Sequence, residues 1–361
     1  MKIAVIGAGI FGTLIATELA NRNLDVTLIE KNNEILAGAT PRSQNRLHLG
    51  LHYPRDLATA KQSVEGFRHF QEQFGDAVNL DFHNYYAISK LGSKVSTLEF
   101  QRFCNLAGIE ITPSTNGNRL PNGIALKNVE SVWQCGEGVI DMDILREQLK
   151  NLIFHSGIKL LKEAEVLSIV QSGQQWVISF DTQPEEEFDF VVRCTYSSDS
   201  IVIKSTEHKP TRKIFQRTMI QVVESEENNF GITIIDGDFL TILPQGFSTK
   251  LLAYGPSVST RQVAESINKP IEWSWANKEE IKTFQKLIKE RIDCSLDNWD
   301  YRISSEYLET IRTIEVGVEA TDRRTSHVAM SAPRFIDVWS GKIDHAVSIS
   351  KEIAQSVESN Y

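Results

Sequence analysis

The stretch KIAVIGAGIFGTLIATELANRNLDVTLIE, residues 2–30, decides how this chain is read. Lys2 to Ile6 is a short apolar run closed by glycine, which predicts a buried strand. Gly7, Gly9 and Gly12 follow as GxGxxG, and the residues after them predict a helix to about Arg22. Asp25 to Ile29 then predicts a second strand ending in Glu30, 23 residues after Gly7. In that setting Gly7 permits the turn, Gly9 lets a pyrophosphate approach the backbone, and Gly12 lets the helix pack closely on the strand. The helix N-terminus offers free N–H groups and partial positive charge to phosphates. The Glu30 carboxylate is placed to accept hydrogen bonds from ribose hydroxyls and would repel a 2′-phosphate, which leaves FAD or NAD and disfavours NADP. Lys2 before an apolar run also resembles a signal peptide, but a signal peptide has no use for the strand, turn, helix, strand order.

At 361 residues the chain exceeds one comfortable core, so two intimately joined domains are expected. Charged residues at 24% and hydrophobic residues at 41% are globular values. A net charge of -9 disfavours nucleic acid and anionic membrane as main partners. Cys104, Cys135, Cys194 and Cys294 are scattered without a CxxC pair, which argues against a redox dithiol and a zinc knuckle. They read as buried thiols in a reducing compartment, so a cytoplasmic location is expected. No segment reaches the 18 or so uninterrupted apolar residues of a membrane span.

A second stretch, QNRLHLGLHYPRD at residues 44–56, sets His48 and His52 four apart among leucines. Leu47, Leu49 and Leu51 alternate with Arg46, His48, Gly50 and His52, the period of a half-buried strand, and Gly50 leaves room for a close approach. On a helix the two histidines would form a metal face, but no further ligand pattern accompanies them and no metal is expected. The preceding KNNEILAGATPRSQNRLHLG is a polar loop with Gly38, Thr40 and Ser43, whereas a simple NAD domain would continue with regular βαβ units.

GxGxxG with Glu30, then AGAT, then NRLHLGLHY resembles the FAD-dependent oxidoreductases of the D-amino acid oxidase superfamily. His48 to Tyr53 is similar to the His-x-Gly-x-x-Tyr stretch of its L-2-hydroxyglutarate and glycerol-3-phosphate dehydrogenase branch. The resemblance implies an α/β fold: a Rossmann-like FAD-binding domain of the glutathione reductase type with an inserted α+β substrate domain built on an antiparallel sheet. Residues 1–75, 136–205 and 310–361 would form the first, and 76–135 with 206–309 the second. It further implies that His48 and Gly50 line the flavin, that Asn45, Arg46 and Leu47 lie near the ring or pyrophosphate, and that Val166 receives the adenine. Ile10, Phe11, Lys31 and Thr40 belong to the same implied cofactor shell. Relatives carry an Ala-Thr-Gly turn where this chain has Cys194-Thr195-Tyr196, a departure that removes a glycine beside the cofactor. WSGKID, residues 339–344, precedes an amphipathic helix, and the resemblance makes Gly341, Lys342 and Ile343 the donors that stabilise reduced flavin.

Without a second GxGxxG or a CxxC, the flavin would take electrons directly from a bound substrate. In the superfamily that substrate is a small amine or 2-hydroxy acid whose carboxylate is held by arginine. Arg302, Arg312, Arg323 and Arg324 are the candidates, the last two in TDRRTS. His48 or His52 is the candidate base, and Tyr53, Tyr254 and Tyr301 are candidate hydrogen-bonding groups. A flavin monooxygenase of related fold and a non-catalytic flavoprotein subunit are the alternatives. The electron acceptor, oxygen or a carrier, leaves no mark on the sequence.

Overall fold

The GxGxxG stretch folds as β1 (Lys2–Ile6), α1 (Ile10–Ala20) and β2 (Asp25–Ile29). The structure is a computed structural model and describes residues 1–361 except 199, 210–211, 236, 238, 267–270, 272, 317–325 and 360–361. A six-stranded sheet runs Lys159–Leu161, β2, β1, Phe190–Arg193, Phe335–Trp339, His327–Ala332, parallel except at its last strand. Strand alternation decides what covers it. Ile3 and Val5 pack with α1, the helix Met142–Ser156 and the C-terminal helix Ala346–Ser359, whereas Ala4 and Ile6 pack against a four-stranded sheet through Trp176, Ile178 and Phe188. Gly12 carries the packing role its spacing predicts, since a Cβ there would stand 1.8 Å from the Gly7 carbonyl oxygen.

A nine-stranded sheet gathers residues from His83 to Cys135 and from Lys213 to Glu315. It is antiparallel except where Phe230–Ile235 runs parallel to His83–Ser89. The strand Arg302–Glu315 pairs along Lys213–Glu224 over its whole length, so residues 310–315 continue in this sheet. The predicted polar helix 278–291 extends to Ser295 and buries Phe284, Ile288 and Ile292 against one face. The capping box of Ser96 and Glu99 starts its helix as expected.

The alternating pattern at residues 46–52 is not a strand along its length. Only β3 (Arg46–Leu47) pairs, with Gly138 and Val139. Gly50 then takes φ +91, the Tyr53 N–H donates to the Gly50 carbonyl at 3.1 Å, and Asp56 caps α2 (Leu57–Phe74). The leucines divide accordingly: Leu47 joins the core around α1, while Leu51 joins a separate cluster with Tyr86 and Phe100. A Cβ at Gly50 would meet Ala60 Cα at 2.6 Å, so the close approach that requires glycine is made by α2 rather than by a ligand.

Tyr196 keeps the turn that the missing glycine would form, at φ +49. Its hydroxyl accepts the Thr313 N–H at 3.2 Å, tying the Rossmann edge to the large sheet. A left-handed side chain costs roughly 1–2 kcal/mol and one hydrogen bond returns about 0.5–1.5 kcal/mol. Tyr196→Gly should therefore change stability by less than about 1 kcal/mol in denaturant unfolding; a loss above about 2 kcal/mol would show that the ring itself joins the sheets.

Cys104 and Cys194 are buried as expected, but Cys294 is exposed and Cys135 half-buried. No helix among the described residues is long and apolar enough to cross a membrane.

Candidate functional site

The glycine turn, β3 and the large sheet enclose a cavity of about 970 Å³. One end is lined by Glu30, Lys31 and Val166, the middle by Gly7, Gly9, Ile10, Phe11, Thr40 and Thr195, and the other end by Asn45, Arg46, His48, Gly341, Lys342 and Ile343. Gly12, Leu47 and Gly50, also expected at the cofactor, lie outside its lining: Gly12 packs on the turn, Leu47 is fully buried in the core, and Gly50 is covered by Ala60. Glu30 Oε2 accepts the Ala8 N–H at 2.8 Å and Oε1 accepts from the Asn32 backbone at 3.0 Å and side chain at 2.5 Å. These bonds fix the carboxylate at the cavity wall and leave lone pairs for further donors.

Below His48 lies a buried ionic network centred on Glu137, which no sequence pattern marked. Glu137 is 2% exposed and its Oε2 accepts from Arg46 Nη1 at 3.2 Å and from the Tyr86 hydroxyl at 2.7 Å. Its Oε1 accepts the Leu49 N–H at 2.7 Å. Arg46 Nη2 donates to Thr233 Oγ1 at 2.5 Å and Thr241 Oγ1 at 2.6 Å, so β3 is anchored on the large sheet. His52 Nδ1 lies 3.1 Å from Arg46 Nη1 and 2.5 Å from the Tyr86 hydroxyl. Because a guanidinium only donates and Nδ1 is the nearer ring nitrogen, with Nε2 at 3.5 Å, Nδ1 is the acceptor and the His52 proton sits on Nε2. His48 Nδ1 is turned inward, 3.9 Å from Glu137 Oε1, without a hydrogen-bond partner among the described residues.

His48, His52 and Glu137 bring their ligand atoms within 4.8 Å of one another, the one feature among the described residues that resembles a metal site. The Arg46 guanidinium already stands among them and supplies the cation that Glu137 requires. Burial first, then the charges of Lys342 and Arg46, hold both imidazoles well below the usual histidine range, so both are neutral at pH 7.

Lys342 is 8% exposed, and its Nζ lies 4.1 Å from the centre of the Tyr53 ring with no hydrogen-bond partner among the described residues. Lys342 is therefore not a solvated turn residue. The Gly341 and Lys342 N–H groups are not free, as had been expected: both donate to Ser326 Oγ, at 2.8 Å and 3.4 Å. Above this end stand Phe215, Ile220, Tyr254 and Arg312 from the large sheet, with Phe239 from the connection just before one of its strands. Arg312 Nε donates to Gln216 Oε1 at 2.7 Å, and its guanidinium lies 5.9 Å from the Tyr254 ring centre. Arg302 pairs with Glu224 and is 75% exposed, so it is no clamp in this cavity. Arg323 and Arg324 lie outside the described residues. Tyr53 and Tyr254 line the cavity, whereas Tyr301 stacks on Trp299 and donates to Asp293 elsewhere.

The family described as FAD dependent oxidoreductase matches residues 2–300. The chain belongs to this family. It is an FAD-dependent oxidoreductase, FAD is its cofactor, and the fold is that of the D-amino acid oxidase superfamily. This oxidoreductase is 25% identical over 355 residues to "FAD-dependent monooxygenase FPY4" of Fusarium mangiferae, across 95% of this chain and 87% of that one. Over 80 residues, 22% of this chain and 14% of the other, it is 42% identical to "Anaerobic glycerol-3-phosphate dehydrogenase subunit A1" of Haloferax volcanii. Among solved structures, a Tyr258Phe mutant of NikD, described as an unusual amino acid oxidase, superposes with TM-score 0.75 at 11% identity over 100% of this chain and 94% of that one. Glycine oxidase from Geobacillus kaustophilus superposes with TM-score 0.70 at 14% identity, covering 99% and 94%.

The cavity itself fits the cofactor. It is long, carries a carboxylate at one end, crosses a helix N-terminus, and ends at a buried ammonium.

Proposed function

We propose that this oxidoreductase oxidises a C–N or C–O bond of a small carboxylate-bearing amine or 2-hydroxy acid. The observation that carries the reading is the pairing, at one cavity end, of a buried ammonium without a hydrogen-bond partner among the described residues, Lys342, with a neutral imidazole, His48. Bound FAD supplies the acceptor for the two electrons taken from the substrate carbon. Lys342 and Arg312 attract and orient the carboxylate, one from the floor and one from the roof. His48, with Nδ1 turned toward Glu137, uses Nε2 to accept the proton that leaves the substrate amine or hydroxyl. Phe215, Ile220 and Phe239 keep water from that transfer and strengthen the charge interactions. The cofactor shell in this reading is the lining set named above, from Gly7, Gly9 and Glu30 to Val166 and the Gly341–Ile343 turn.

A second reading is favoured by one finding, the match of nearly the whole chain to a protein named as an FAD-dependent monooxygenase. Anaerobic mixing with amino acids, N-methyl amino acids and 2-hydroxy acids separates the two. Bleaching of the flavin by substrate alone supports direct oxidation. Bleaching only after NADH or NADPH is added supports the monooxygenase.

The histidines should differ. His48→Ala should slow flavin reduction by roughly 10²–10⁴-fold with folding intact, the usual range for a lost general base. His52→Ala should chiefly cost stability, about 1–3 kcal/mol, because the buried Arg46 loses an acceptor. The reverse pattern would transfer the base to His52. As the His48 pKa is depressed, its basic form persists below pH 6.5, and the reduction rate should stay level from pH 7 through 6.5 before falling.

A further inference from the structure

Behind the cavity, the turn that carries Lys342 rests on a chain of buried polar groups with no place in the chemistry above. Ser326, Asp344 and His345 are 4%, 0% and 0% exposed, and none lines the cavity. Ser326 is itself held by α2, where Gln62 accepts its N–H at 3.2 Å and donates to its carbonyl at 3.2 Å. Gly66 of the same helix packs so closely that a Cβ there would stand 2.4 Å from the Asp344 carbonyl oxygen.

We infer that Asp344, His345, Ser63 and Ser326 form a relay that positions the Gly341–Lys342 turn against FAD, with Ser326 as the positioning residue. The direction of each bond follows from what each group can give. Ser326 Oγ accepts two N–H groups, from Gly341 and Lys342, so its own proton is available to donate. The partner for that proton is His345 Nδ1 at 3.0 Å, which must then be unprotonated. The His345 proton is therefore on Nε2, which faces Ser63 Oγ at 3.2 Å and Asp344 Oδ2 at 3.3 Å. The Ser63 hydroxyl lies against the Asp344 carboxylate, whose oxygens otherwise have no partner among the described residues. Burial pushes the Asp344 acid up to about 6, so it is chiefly a carboxylate at pH 7; in that form it accepts only, which fixes the His345 tautomer and turns the Ser326 lone pairs toward the turn. Burial supports the assignment, since it keeps His345 neutral.

If the His345 proton moved to Nδ1, it would compete with Gly341 and Lys342 for the same serine oxygen. One backbone N–H would be released and the turn would lose its fixed place at the cavity wall. The cost would appear at the cofactor, without any contact between FAD and the relay.

The inference rests on FAD binding and not on the substrate reading, so its test uses no substrate. In holoenzyme labelled with ¹⁵N-histidine, the His345 signal, assigned by its loss in His345→Gln, should show the proton on Nε2. Asp344→Asn, which keeps shape and removes the charge, should populate the Nδ1–H form. Ser326→Ala should weaken FAD binding roughly tenfold, about 1.4 kcal/mol, and shift the visible flavin band, while Ser326→Thr restores both. A proton on Nδ1 in the unmodified holoenzyme overturns the relay, and that measurement decides even where Ser326→Ala fails to fold. Unchanged FAD affinity and spectrum in a folded Ser326→Ala protein overturns it equally.

Discussion

Glu137→Ala should cost about 3–5 kcal/mol of folding stability, the range for removing one partner of a buried ion pair. Arg46 and Glu137 are 4% and 2% exposed, so the orphaned guanidinium could not recover solvent without opening the sheet. Its remaining partners, Thr233, Thr241, His52 and the Tyr86 hydroxyl, are neutral and cannot offset a full charge. Tyr86 would lose the acceptor of its hydroxyl as well. Urea unfolding of the FAD-free protein measures the loss, with an unchanged m-value as the sign that the unfolding reaction is the same. Adding Arg46→Met to Glu137→Ala should recover part of the loss, because the unpaired charge and not the missing contact dominates it. A single-variant loss under about 1 kcal/mol would mean that water enters and solvates Arg46, and β3 would then not depend on this pair.

The same residues show what a sequence can and cannot disclose. The GxGxxG stretch was legible because strand, turn and helix are local events, and Gly12 performs its task against Gly7, five residues away. The cavity lining follows from that stretch and from the C-terminal turn for the same reason. Residues 46–52 misled because alternation signals a strand only where neighbours accept the pairing, and β3 finds a partner for two residues before α2 closes over Gly50. Glu137 gave no signal because its partners, Arg46, Leu49 and Tyr86, are distant in the chain and meet only in the fold. Its one local oddity is an acid between Gly136 and Gly138, in front of a buried strand. Arg302 and Arg312 lie on one strand, ten positions apart, and only the assembled sheet turns the second toward the cavity and leaves the first in solvent. Ser326 closes the TDRRTS stretch, which drew attention for its arginines, and nothing local marks its hydroxyl as the acceptor of the amides assigned to the cofactor.

Lys342→Met should weaken binding of an anionic substrate or substrate analogue by about thirtyfold to several-hundredfold, the effect of roughly 2–4 kcal/mol lost with a charged hydrogen bond in a desolvated site. The same change should cost little folding stability, because the ammonium has no hydrogen-bond partner among the described residues and its desolvation is offset by the Tyr53 ring and by the attraction of the buried Asp344 acid. That opposition identifies a group kept for ligand binding: a structural lysine would lose stability and leave affinity alone. Titration of the holoenzyme with carboxylates, followed by the shift of the flavin band, gives the affinity, and a thermal melt gives the stability. Arg312→Met tests the roof in the same way, and the exposed Arg302→Met should change neither quantity. If Arg312→Met carried the whole loss, the carboxylate would be anchored on the large sheet, with its reacting carbon held by the roof and Lys342 left to another anion. If neither variant moved the affinity, the substrate would carry no charge at this end of the cavity, and the carboxylate would have to be withdrawn from the proposed substrate.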